Sequence, residues 1–287
     1  MRKIGIVGQG YVGTAVKTVF ENYYDIETYG IEKSLSSTKN ISELSRKVEV
    51  IFVCVPTPMN EDGSCNIFAV DKVIKEINFT AMKRCKYVVI KSTIPPGTTT
   101  KLNKECDNIQ IIFNPEFLTE ANFIEDFKNQ NRVILGGPRP GTTIIKQVYS
   151  KVLPNTKVVK TGSKTAEMVK YMTNTFLATK VSFANEMKMI CDKIDIDYDK
   201  VTEYATYDER LGKSHWSVPG PDGKLGFGGS CFPKDINALI DVAKKLDLES
   251  NVLKGAWDTN LNVRPEEDWK ELKGRAVVNN EKKDEVK

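Results

Sequence analysis

Short, nearly continuous apolar runs alternate with helix-length segments through the first half of the chain. The runs are KIGIV at 3–7, VEVIFVCV at 48–55, KYVVIK at 86–91, IQIIF at 109–113 and RVILG at 132–136. Strands buried on both faces have this composition, and intervening helices are typical of a parallel sheet covered on both sides. The pattern therefore predicts an α/β fold whose first domain, residues 1–160, is a doubly wound parallel sheet.

The hydrophobic pattern changes to helical spacing in the second half. No glycine or proline occurs over 163–211, and within 165–193 apolar residues recur one turn apart, as at Met168, Met172 and Phe176. This predicts one helix of about 28 residues, about 40 Å long. We expect this long central helix to be the spine between domains and the face of a homodimer.

The remaining elements complete a second, helical domain. Shorter helices are predicted over 199–207 and 234–246, and the domain is assigned to 161–265. Residues 266–287 are assigned to a C-terminal tail, whose last letters, NNEKKDEVK, are expected to form a solvated end.

Composition and charge narrow the class of protein. Of 287 residues, 40% are hydrophobic and 28% charged, which is typical of a globular protein. The net charge of +4 suits a small anionic ligand and is too weak and too evenly spread to indicate nucleic-acid binding. No apolar run reaches the roughly 20 residues of a membrane span, and Gly8 and Gly10 interrupt the N-terminal apolar stretch too early for a signal peptide. We therefore expect a cytoplasmic protein.

The titratable residues limit the available chemistry. The six cysteines include no CxxC pair, and His215 is the only histidine, which argues against a zinc site and removes most Ser–His and Cys–His schemes. Acid–base steps must therefore use carboxylates, lysine or water, and no metal is expected.

A glycine motif follows the first predicted strand. In GQGYVG, Gly8 permits a tight turn, Gly10 lets the backbone approach a pyrophosphate, and Gly13 lets the next helix pack on the strand. In this context the motif predicts a Rossmann-type domain that binds a dinucleotide at a helix N-terminus. After the second strand, Glu32 is the candidate for the ribose hydroxyls, and Lys33 beside it leaves NADP open as an alternative to NAD.

Polar or proline-rich turns end the next three strands, with sequences PTP, KSTIPPG and NPEFLTE. Ligands of doubly wound sheets bind at the carboxyl ends of the strands, so these turns are predicted to form one wall of a crevice. Thr57 and Thr93 would offer hydroxyls to the cofactor. Glu116 and Glu120 are four residues apart and would share a face if their turn is helical.

The long helix and the segment GFGGSCFPKD carry the remaining candidates. Lys170 and Asn174 are one helical turn apart, and neighbouring apolar residues favour partial enclosure over a solvated stripe. Pro233 suits the first turn of a helix, which places Cys231 at a helix N-terminus where the dipole favours a thiolate. Asp235 follows one turn later on the same side. Burial as a small apolar residue is the alternative for any cysteine, and it suits Cys231 poorly.

With these motifs in place, the chain resembles the UDP-glucose/GDP-mannose dehydrogenase family. The resemblance lies in GQGYVG, VPTP, KSTIPPG, NPEFLTEA, EMVKYMTNTFLATKVSFANE, YDERLG and GFGGSCFPKD, which occur in the family's order up to about residue 265. It implies NAD-dependent oxidation of the C6 alcohol of a nucleotide sugar to a carboxylate with two NAD. UDP-glucose is the expected substrate and UDP-glucuronate the expected product.

The resemblance also implies roles for individual residues. Cys231 is implied as the nucleophile, Lys170 and Asn174 as oxyanion and substrate holders, and Asp235 as a partner in proton removal through water. Glu116 is implied in the hydrolytic step. The candidate catalytic residues are thus Cys231, Lys170, Asp235, Asn174, Glu116 and Thr93. The cofactor candidates are Gly8, Gly10, Tyr11, Val12, Gly13, Glu32, Thr57, Pro58, Ser92, Thr93 and Glu120. The substrate candidates are Glu116, Phe117, Leu118, Lys170, Asn174, Arg210, Phe227 and Gly228, with Arg210 expected to reach across a dimer.

The chain departs from the family's pattern at two points. Gly30 stands where a strand-end acid is usual, which bears on the choice between NAD and NADP. The family normally carries a third domain over the nucleotide, and this chain stops soon after LKGRAVVNN. We therefore expect a short form in which residues 216–229 and a partner subunit hold the nucleotide, or in which the nucleotide binds weakly.

Two other readings of the sequence remain open. The β-hydroxyacid and 6-phosphogluconate dehydrogenases share a Rossmann domain followed by a helical domain with a lysine, but they need no thiol. A non-catalytic module that binds NAD or a partner is the other alternative.

Overall fold

The computed structural model describes residues 2–30, 32–81 and 85–279, with the backbone alone at residue 33. The chain divides into two compact units. The first comprises Met1–Thr57 and Ile67–Lys170, and the second comprises Pro58–Asn66 and Tyr171–Lys287. Most of the predicted solvated end, residues 280–287, and the side chain of Lys33 lie outside the description.

The first unit contains a seven-stranded sheet flanked by helices. Its strands are β1 (Lys3–Val7), β2 (Asp25–Tyr29), β3 (Val50–Val53), β4 (Tyr87–Ile90), β5 (Gln110–Phe113), β6 (Arg132–Gly136) and β7 (Lys157–Thr161), in the order β2-β1-β3-β4-β5-β6-β7. Its helices are α1 (Tyr11–Phe20), α2 (Ile41–Lys47), α3 (Phe68–Thr80), α4 (Thr98–Glu105), α5 (Phe123–Lys128) and α6 (Gly141–Val152). The predicted α/β fold class is confirmed.

The strands of this sheet are buried because both of its faces are covered. Alternate residues of β3 enter opposite cores, with Ile51 and Val53 on one side and Val50 and Phe52 on the other. Strands β1 to β5 are mutually parallel. Their carboxyl ends therefore lie along one edge, which brings the glycine turn and the three polar turns to that edge as predicted.

One strand pairing departs from the parallel pattern. Strand β6 pairs antiparallel to β5 through Phe113 and Gly136, and β7, which the hydrophobic pattern does not predict, pairs parallel to β6. The connection between β5 and β6 includes the six-residue helix α5.

The second unit is mainly helical. Helix α7 (Ser163–Lys193) begins in the first unit and supplies its later turns to the second, followed by α8 (Tyr198–Ala205), α9 (Phe232–Lys245) and α10 (Asn251–Val263). The predictions of α7, α8 and α9 are confirmed within two residues at each end, and α10 is additional. In the described part of the chain, none of the helices combines the length and apolarity that a membrane crossing needs.

The segment assigned to a tail packs onto the second unit as far as it is described. Trp269 and Ala276 are fully buried. Backbone hydrogen bonds join Met59 to Ala276 and Val278. Up to residue 279, these residues therefore belong to the folded unit rather than to a solvated tail.

Candidate active site

The glycine turn has the shape that a dinucleotide pyrophosphate requires. Gly8 has φ +91°, and a Cβ there would lie 2.5 Å from the carbonyl oxygen of Cys54. A Cβ on Gly13 would lie 1.9 Å from the carbonyl oxygen of Gly8, whereas one on Gly10 would meet nothing within 4 Å. Helix α1 starts directly afterwards at Tyr11, so its N-terminal N–H groups and the open side of Gly10 fit a phosphate.

The residues predicted around this turn take several positions. Tyr11 donates a hydrogen bond from its hydroxyl to Glu120 Oε1 over 2.8 Å, which joins two of the cofactor candidates. Glu32 is exposed two residues beyond Gly30, the residue that follows β2. Its contact with a ribose stays a prediction.

The hydroxyls of the first two polar turns are buried at the carboxyl edge of the sheet. Thr57, Ser92 and Thr93 are each less than a tenth exposed. Ser92 donates its hydroxyl hydrogen bond to the carbonyl of Val55 over 2.6 Å, which ties the ends of β3 and β4 together. Pro58, the remaining candidate of this group, belongs to the second unit.

The third polar turn holds a buried ion pair. Lys170 Nζ lies 2.8 Å from Glu116 Oε1 and donates to the Glu116 carbonyl over 2.7 Å. Both side chains are less than a tenth exposed. The backbone N–H of Leu118 donates to Glu116 Oε2 over 2.7 Å, and the ring of Phe117 lies 5.6 Å from the ammonium. The pair thus joins four of the predicted substrate residues.

Charge decides the ionisation of Glu116. Burial by itself would raise the pKa of this carboxyl, but the positive charge and hydrogen bond of Lys170, the Leu118 N–H and Lys91 together lower it below its ordinary value. The condition for Glu116 and Glu120 to share a face, a helical turn, is not met. Residues 114–119 are not helical, and Glu116 is buried whereas Glu120 is exposed.

A buried lysine beneath this turn was missed by the sequence analysis. Lys91 Nζ donates to Asn114 Oδ1 over 3.0 Å, and the Tyr149 hydroxyl donates to the same oxygen over 2.5 Å. Burial lowers the pKa of Lys91 to about 8, an effect that Cys54 and Glu116 oppose and that Lys170 assists. A lysine directly after a buried strand was the signal that could have identified it.

Glu167 was also missed, and it ties α7 to the turn that carries Thr93. Its carboxylate is fully buried and accepts from the backbone N–H of Gly97 over 2.6 Å and of Thr99 over 2.8 Å. A carboxylate at the N-terminus of α4 is favoured by the helix dipole. Glu167 precedes Lys170 by one turn on α7, so this anchor also fixes the lysine.

In the second unit, a carboxylate and a thiol lie one turn apart on α9. Cys231 is the N-cap of α9 and is half-buried, and Asp235 donates its backbone N–H to the Cys231 carbonyl over 3.0 Å. Asp235 is almost fully buried. Its Oδ2 accepts from Asn174 Nδ2 over 2.6 Å, and its Oδ1 accepts from Lys234. The structure therefore brings Asn174, Asp235 and Cys231 together within one unit.

The ammonium of Lys234 adds a positive charge beside these residues. Burial would lower the pKa of Lys234, but the carboxylate of Asp235 and electrostatic interactions with the thiols of Cys231 and Cys65 raise it above the ordinary value. The contrasting thiol is Cys54, whose pKa burial raises to about 12. Both thiols are half-buried, and Cys231 differs from Cys54 in its place at the N-terminus of α9, beside Lys234 and Asp235.

Three substrate candidates have surroundings that the sequence did not indicate. The ring of Phe227 packs against Phe232 and Trp257, and Gly228 lies against the guanidinium of Arg264. Arg210 is exposed and pairs with Asp208 in the same 3₁₀ turn. Their contacts with a substrate stay predictions.

The apolar stripe on α7 does not enclose the polar pair that it flanks. Lys170 and Asn174 are buried, but Met168, Met172 and Phe176 are 40%, 69% and 67% exposed. These apolar side chains lie on the exposed face of the helix. Lys170 and Asn174 are therefore buried as expected, but the apolar residues Met168, Met172 and Phe176 are not what buries them.

A glycine turn on a mostly parallel sheet, followed by a helical unit that begins on one long helix, defines a two-domain dinucleotide-binding protein of the Rossmann class. Residues 26–153 match the model described as the NAD binding domain of the UDP-glucose/GDP-mannose dehydrogenase family, and residues 164–262 match that family's central domain. The chain belongs to the UDP-glucose/GDP-mannose dehydrogenase family. The predicted family resemblance and the predicted cofactor, NAD, are confirmed.

Individual relatives agree with this placement. UDP-glucose 6-dehydrogenase TuaD of Bacillus subtilis strain 168 is 30% identical over 302 residues, covering 92% of this chain and 64% of the relative. The structure of a UDP-glucose dehydrogenase from Pyrobaculum islandicum superposes with a TM-score of 0.84 at 27% identity, covering 91% of this chain and 68% of that one. This chain therefore spans less than two thirds of the length of TuaD.

A more distant enzyme shares the fold. The 3-hydroxyisobutyrate dehydrogenase of Mycobacterium tuberculosis superposes with a TM-score of 0.71 at 13% identity, covering 93% of this chain and 95% of that one. At this identity the likeness concerns the fold alone.

Proposed function

We propose that this protein oxidises the C6 alcohol of a nucleotide sugar to a carboxylate, with UDP-glucose as substrate and UDP-glucuronate as product. The observation that carries the proposal is the half-buried Cys231 at the start of α9, one turn from the buried carboxylate of Asp235. A simple alcohol dehydrogenation needs no nucleophile, whereas oxidation to an acid gains from covalent capture of the aldehyde.

Bound NAD supplies the acceptor for one hydride in each of the two oxidations. Between them, the Cys231 sulfur adds to the aldehyde carbon, which converts the carbonyl to a thiohemiacetal. Loss of the second hydride gives a thioester, and water then cleaves its C–S bond and restores the thiol. One alcohol, two NAD and one water thus give one carboxylate, two NADH and three protons.

The first unit would stabilise charge on the reacting oxygen. In this proposal Lys170 places its ammonium where alkoxide character develops, and Glu116 fixes the position of that ammonium. Because its pKa is lowered, Glu116 remains a carboxylate at neutral pH, the form that a general base for the hydrolytic water requires.

The second unit would orient the thiol and the adjoining base. Both carboxylate oxygens of Asp235 accept hydrogen bonds, one from Asn174 and one from Lys234, so the carboxylate is held in one orientation. We propose that Asp235 takes up protons through a water molecule and that Asn174 holds both this carboxylate and the substrate oxygen.

Reaction stoichiometry tests the proposal directly. A panel of nucleotide sugars is incubated with NAD, and NADH is followed by absorbance while the protein is followed by intact mass. We expect two NADH for each UDP-glucose consumed, and a fall of at least about 100-fold in acid formation for Cys231→Ser, with no thioester adduct. The control Cys191→Ser removes a buried thiol on α7 and should leave the rate unchanged.

A second candidate function is a single oxidation of a β-hydroxyacid, a reaction that needs no thiol. It requires one NADH for each substrate and an unchanged rate in Cys231→Ser. NAD binding without NADH production from any substrate in the panel would support a non-catalytic module. Acid formation by Cys231→Ser at the wild-type rate would refute the covalent mechanism.

We propose further that the exposed stripe on α7 forms a homodimer interface. The stripe consists of Met172, Phe176, Phe183 and Ile190, and each of these side chains is more than a third exposed. Phe176→Glu should convert a dimer to a monomer, measured by light scattering after size exclusion. Phe79→Glu, at an exposed phenylalanine on α3, should not change the oligomeric state. A wild-type monomer at high micromolar concentration would refute the interface.

A further inference from the structure

The loop before Cys231, residues 222–229 and here called the glycine loop, is hydrogen-bonded to side chains at the C-terminal end of α10. Asn260 is fully buried, and both ends of its amide bind the same residue of the loop. Its Oδ1 accepts from the Phe227 N–H over 2.7 Å, and its Nδ2 donates to the Phe227 carbonyl over 3.0 Å. Two hydrogen bonds of opposite sense to one residue leave the backbone at Phe227 a single orientation.

Arg264, the C-cap residue of α10, adds a second contact to the same loop. Its guanidinium is almost fully buried and grips Asp268 with two hydrogen bonds, from Nε over 2.9 Å and from Nη2 over 2.7 Å. It also donates to Asp222 Oδ2 over 2.7 Å and to the Leu225 carbonyl over 3.2 Å. Arg264 therefore links the loop at two points to the segment that follows α10.

The loop backbone lies in direct contact with this guanidinium. A Cβ on Gly228 would be 2.5 Å from Arg264 Nη2 and 2.7 Å from its Cζ, so only a glycine leaves the guanidinium room here. The loop cannot move towards α10 without a clash, and it cannot move away without breaking buried hydrogen bonds. Cys231 follows Gly228 by three residues, and the intervening Ser230 is itself buried.

We propose that Asn260 and Arg264 are positioning residues for the Cys231 sulfur. They hold the backbone over 222–229 and so set where the chain enters α9, although neither is assigned a contact with the reacting atoms. Misplacement of a reacting group by about 1 Å is enough to lower a rate by roughly 100-fold. The kinetic part of this proposal rests on the proposed function, whereas the placement of the thiol does not.

Two near-isosteric variants test this placement. Asn260→Asp keeps the acceptor for the Phe227 N–H but sets an oxygen against the Phe227 carbonyl, and Arg264→Lys keeps the charge but loses the two-pronged grip. The control is Asn262→Asp, an exposed asparagine on the same helix. We expect both test variants to lower kcat with UDP-glucose by roughly 10- to 100-fold, with the Kd for NAD unchanged because the glycine turn belongs to the other unit.

Alkylation of the thiol gives a readout independent of turnover. Native protein is treated with iodoacetamide, and modification of Cys231 is quantified by peptide mass relative to Cys65, a half-buried thiol of the same unit. A loosened loop exposes Cys231, so we expect its relative rate to rise at least about fivefold in both variants, as the release of a local structure predicts. Asn262→Asp should match the wild type.

The outcomes separate this proposal from the proposed function. Relative alkylation and kcat within twofold of wild type in both folded variants would overturn the positioning role. Should either variant fail to fold, Asp222→Ala removes one partner of Arg264 at a half-exposed site, and the same limits apply to it. If the wild type oxidises no nucleotide sugar, the proposed function fails, and the alkylation comparison alone decides the placement of Cys231.

Discussion

Replacing Lys170 by methionine removes the charge of the buried ion pair while keeping most of the side-chain volume. Lys170 and Glu116 are 3% and 8% exposed, so water cannot replace the lost partner of the carboxylate. Glu116 would retain the Leu118 N–H as a donor but would lose the adjacent positive charge. Breaking a buried pair in this way costs about 3–5 kcal/mol. For a protein of this size, that corresponds to a fall in Tm of roughly 6–20 °C.

The double variant Lys170→Met/Glu116→Gln separates stability from catalysis. The double variant leaves no unpaired carboxylate at this position, so most of the lost stability should return, while acid formation should stay below the wild-type rate. Urea denaturation of the four proteins of this cycle gives the stabilities, and NADH production from UDP-glucose gives the activities. Lys164→Met, at an exposed lysine on α7, should lie within about 0.5 kcal/mol of wild type.

The pH dependence of the same variants tests the cause. In the wild type the pKa of Glu116 is below its ordinary value of 4.5, so the stability it contributes is present above 4.5 and is lost as the pH falls through the folded pKa. In Lys170→Met, burial prevails and raises the pKa of Glu116. The unpaired carboxylate therefore lowers the stability of this variant most at neutral pH, and the loss becomes smaller on acidification because the carboxyl takes up a proton. The stability difference between the two proteins should therefore narrow on acidification.

Two outcomes would refute this reasoning. One is a cost below about 1 kcal/mol for Lys170→Met, because a buried pair cannot be lost so cheaply. The other is a double variant no more stable than the single one, since the penalty would then not come from the unpaired charge.

The remaining predictions concern other parts of the chain. Gly13→Ala should abolish NAD binding and lower Tm, because its Cβ would overlap the carbonyl oxygen of Gly8, whereas Gly10→Ala should weaken NAD binding at unchanged Tm. Calorimetry measures NAD binding and thermal melts measure Tm. Equal effects of the two variants would contradict the assignment of the glycine turn. Relative to Lys91→Met, the wild type should gain roughly 3 kcal/mol between pH 8 and 10.5, where the unfolded chain binds a proton that the folded one does not. A difference in unfolding free energy between these two proteins that does not change with pH would contradict this prediction. Arg264 lowers the pKa of Asp268 from 3.8 to about 2, so the ionised carboxylate should contribute roughly 2 kcal/mol of stability at neutral pH. Asp268→Asn should remove this contribution at neutral pH. The wild type should lose it only as the pH falls from about 4 to 2. Equal acid denaturation of the two proteins would exclude that role.

The parts of the site predicted from sequence are those with short-range causes. A glycine turn follows from steric limits within six residues, and the placement of Cys231 one turn before Asp235 follows from helix geometry on α9. The same local rule placed Lys170 and Asn174 one turn apart on α7. Each of these arrangements depends on residues close together in the chain, so spacing alone was enough.

The contacts between distant segments could not be predicted. The partner of Lys170 lies 54 residues away at Glu116, and Glu167 binds the turn at Gly97 from 70 residues along the chain. The sequence marked both Lys170 and Glu116 as candidates but gave no sign that they form a pair. A buried charge must find an opposite charge or hydrogen-bond partners, but nothing in the local pattern says which.

By itself, the sequence determined the α/β class, the glycine turn, the long helix and the thiol at the start of α9, because chain stereochemistry and hydrophobic periodicity act over a few residues. Tertiary packing decided which face of α7 is buried, the direction of β6, the fate of the residues after 265 and the grip of Asn260 and Arg264 on the glycine loop. Those outcomes depend on which surfaces meet once the elements have formed. The energy of such a contact depends on residues from two segments that are distant in the chain, so neither segment predicts it alone.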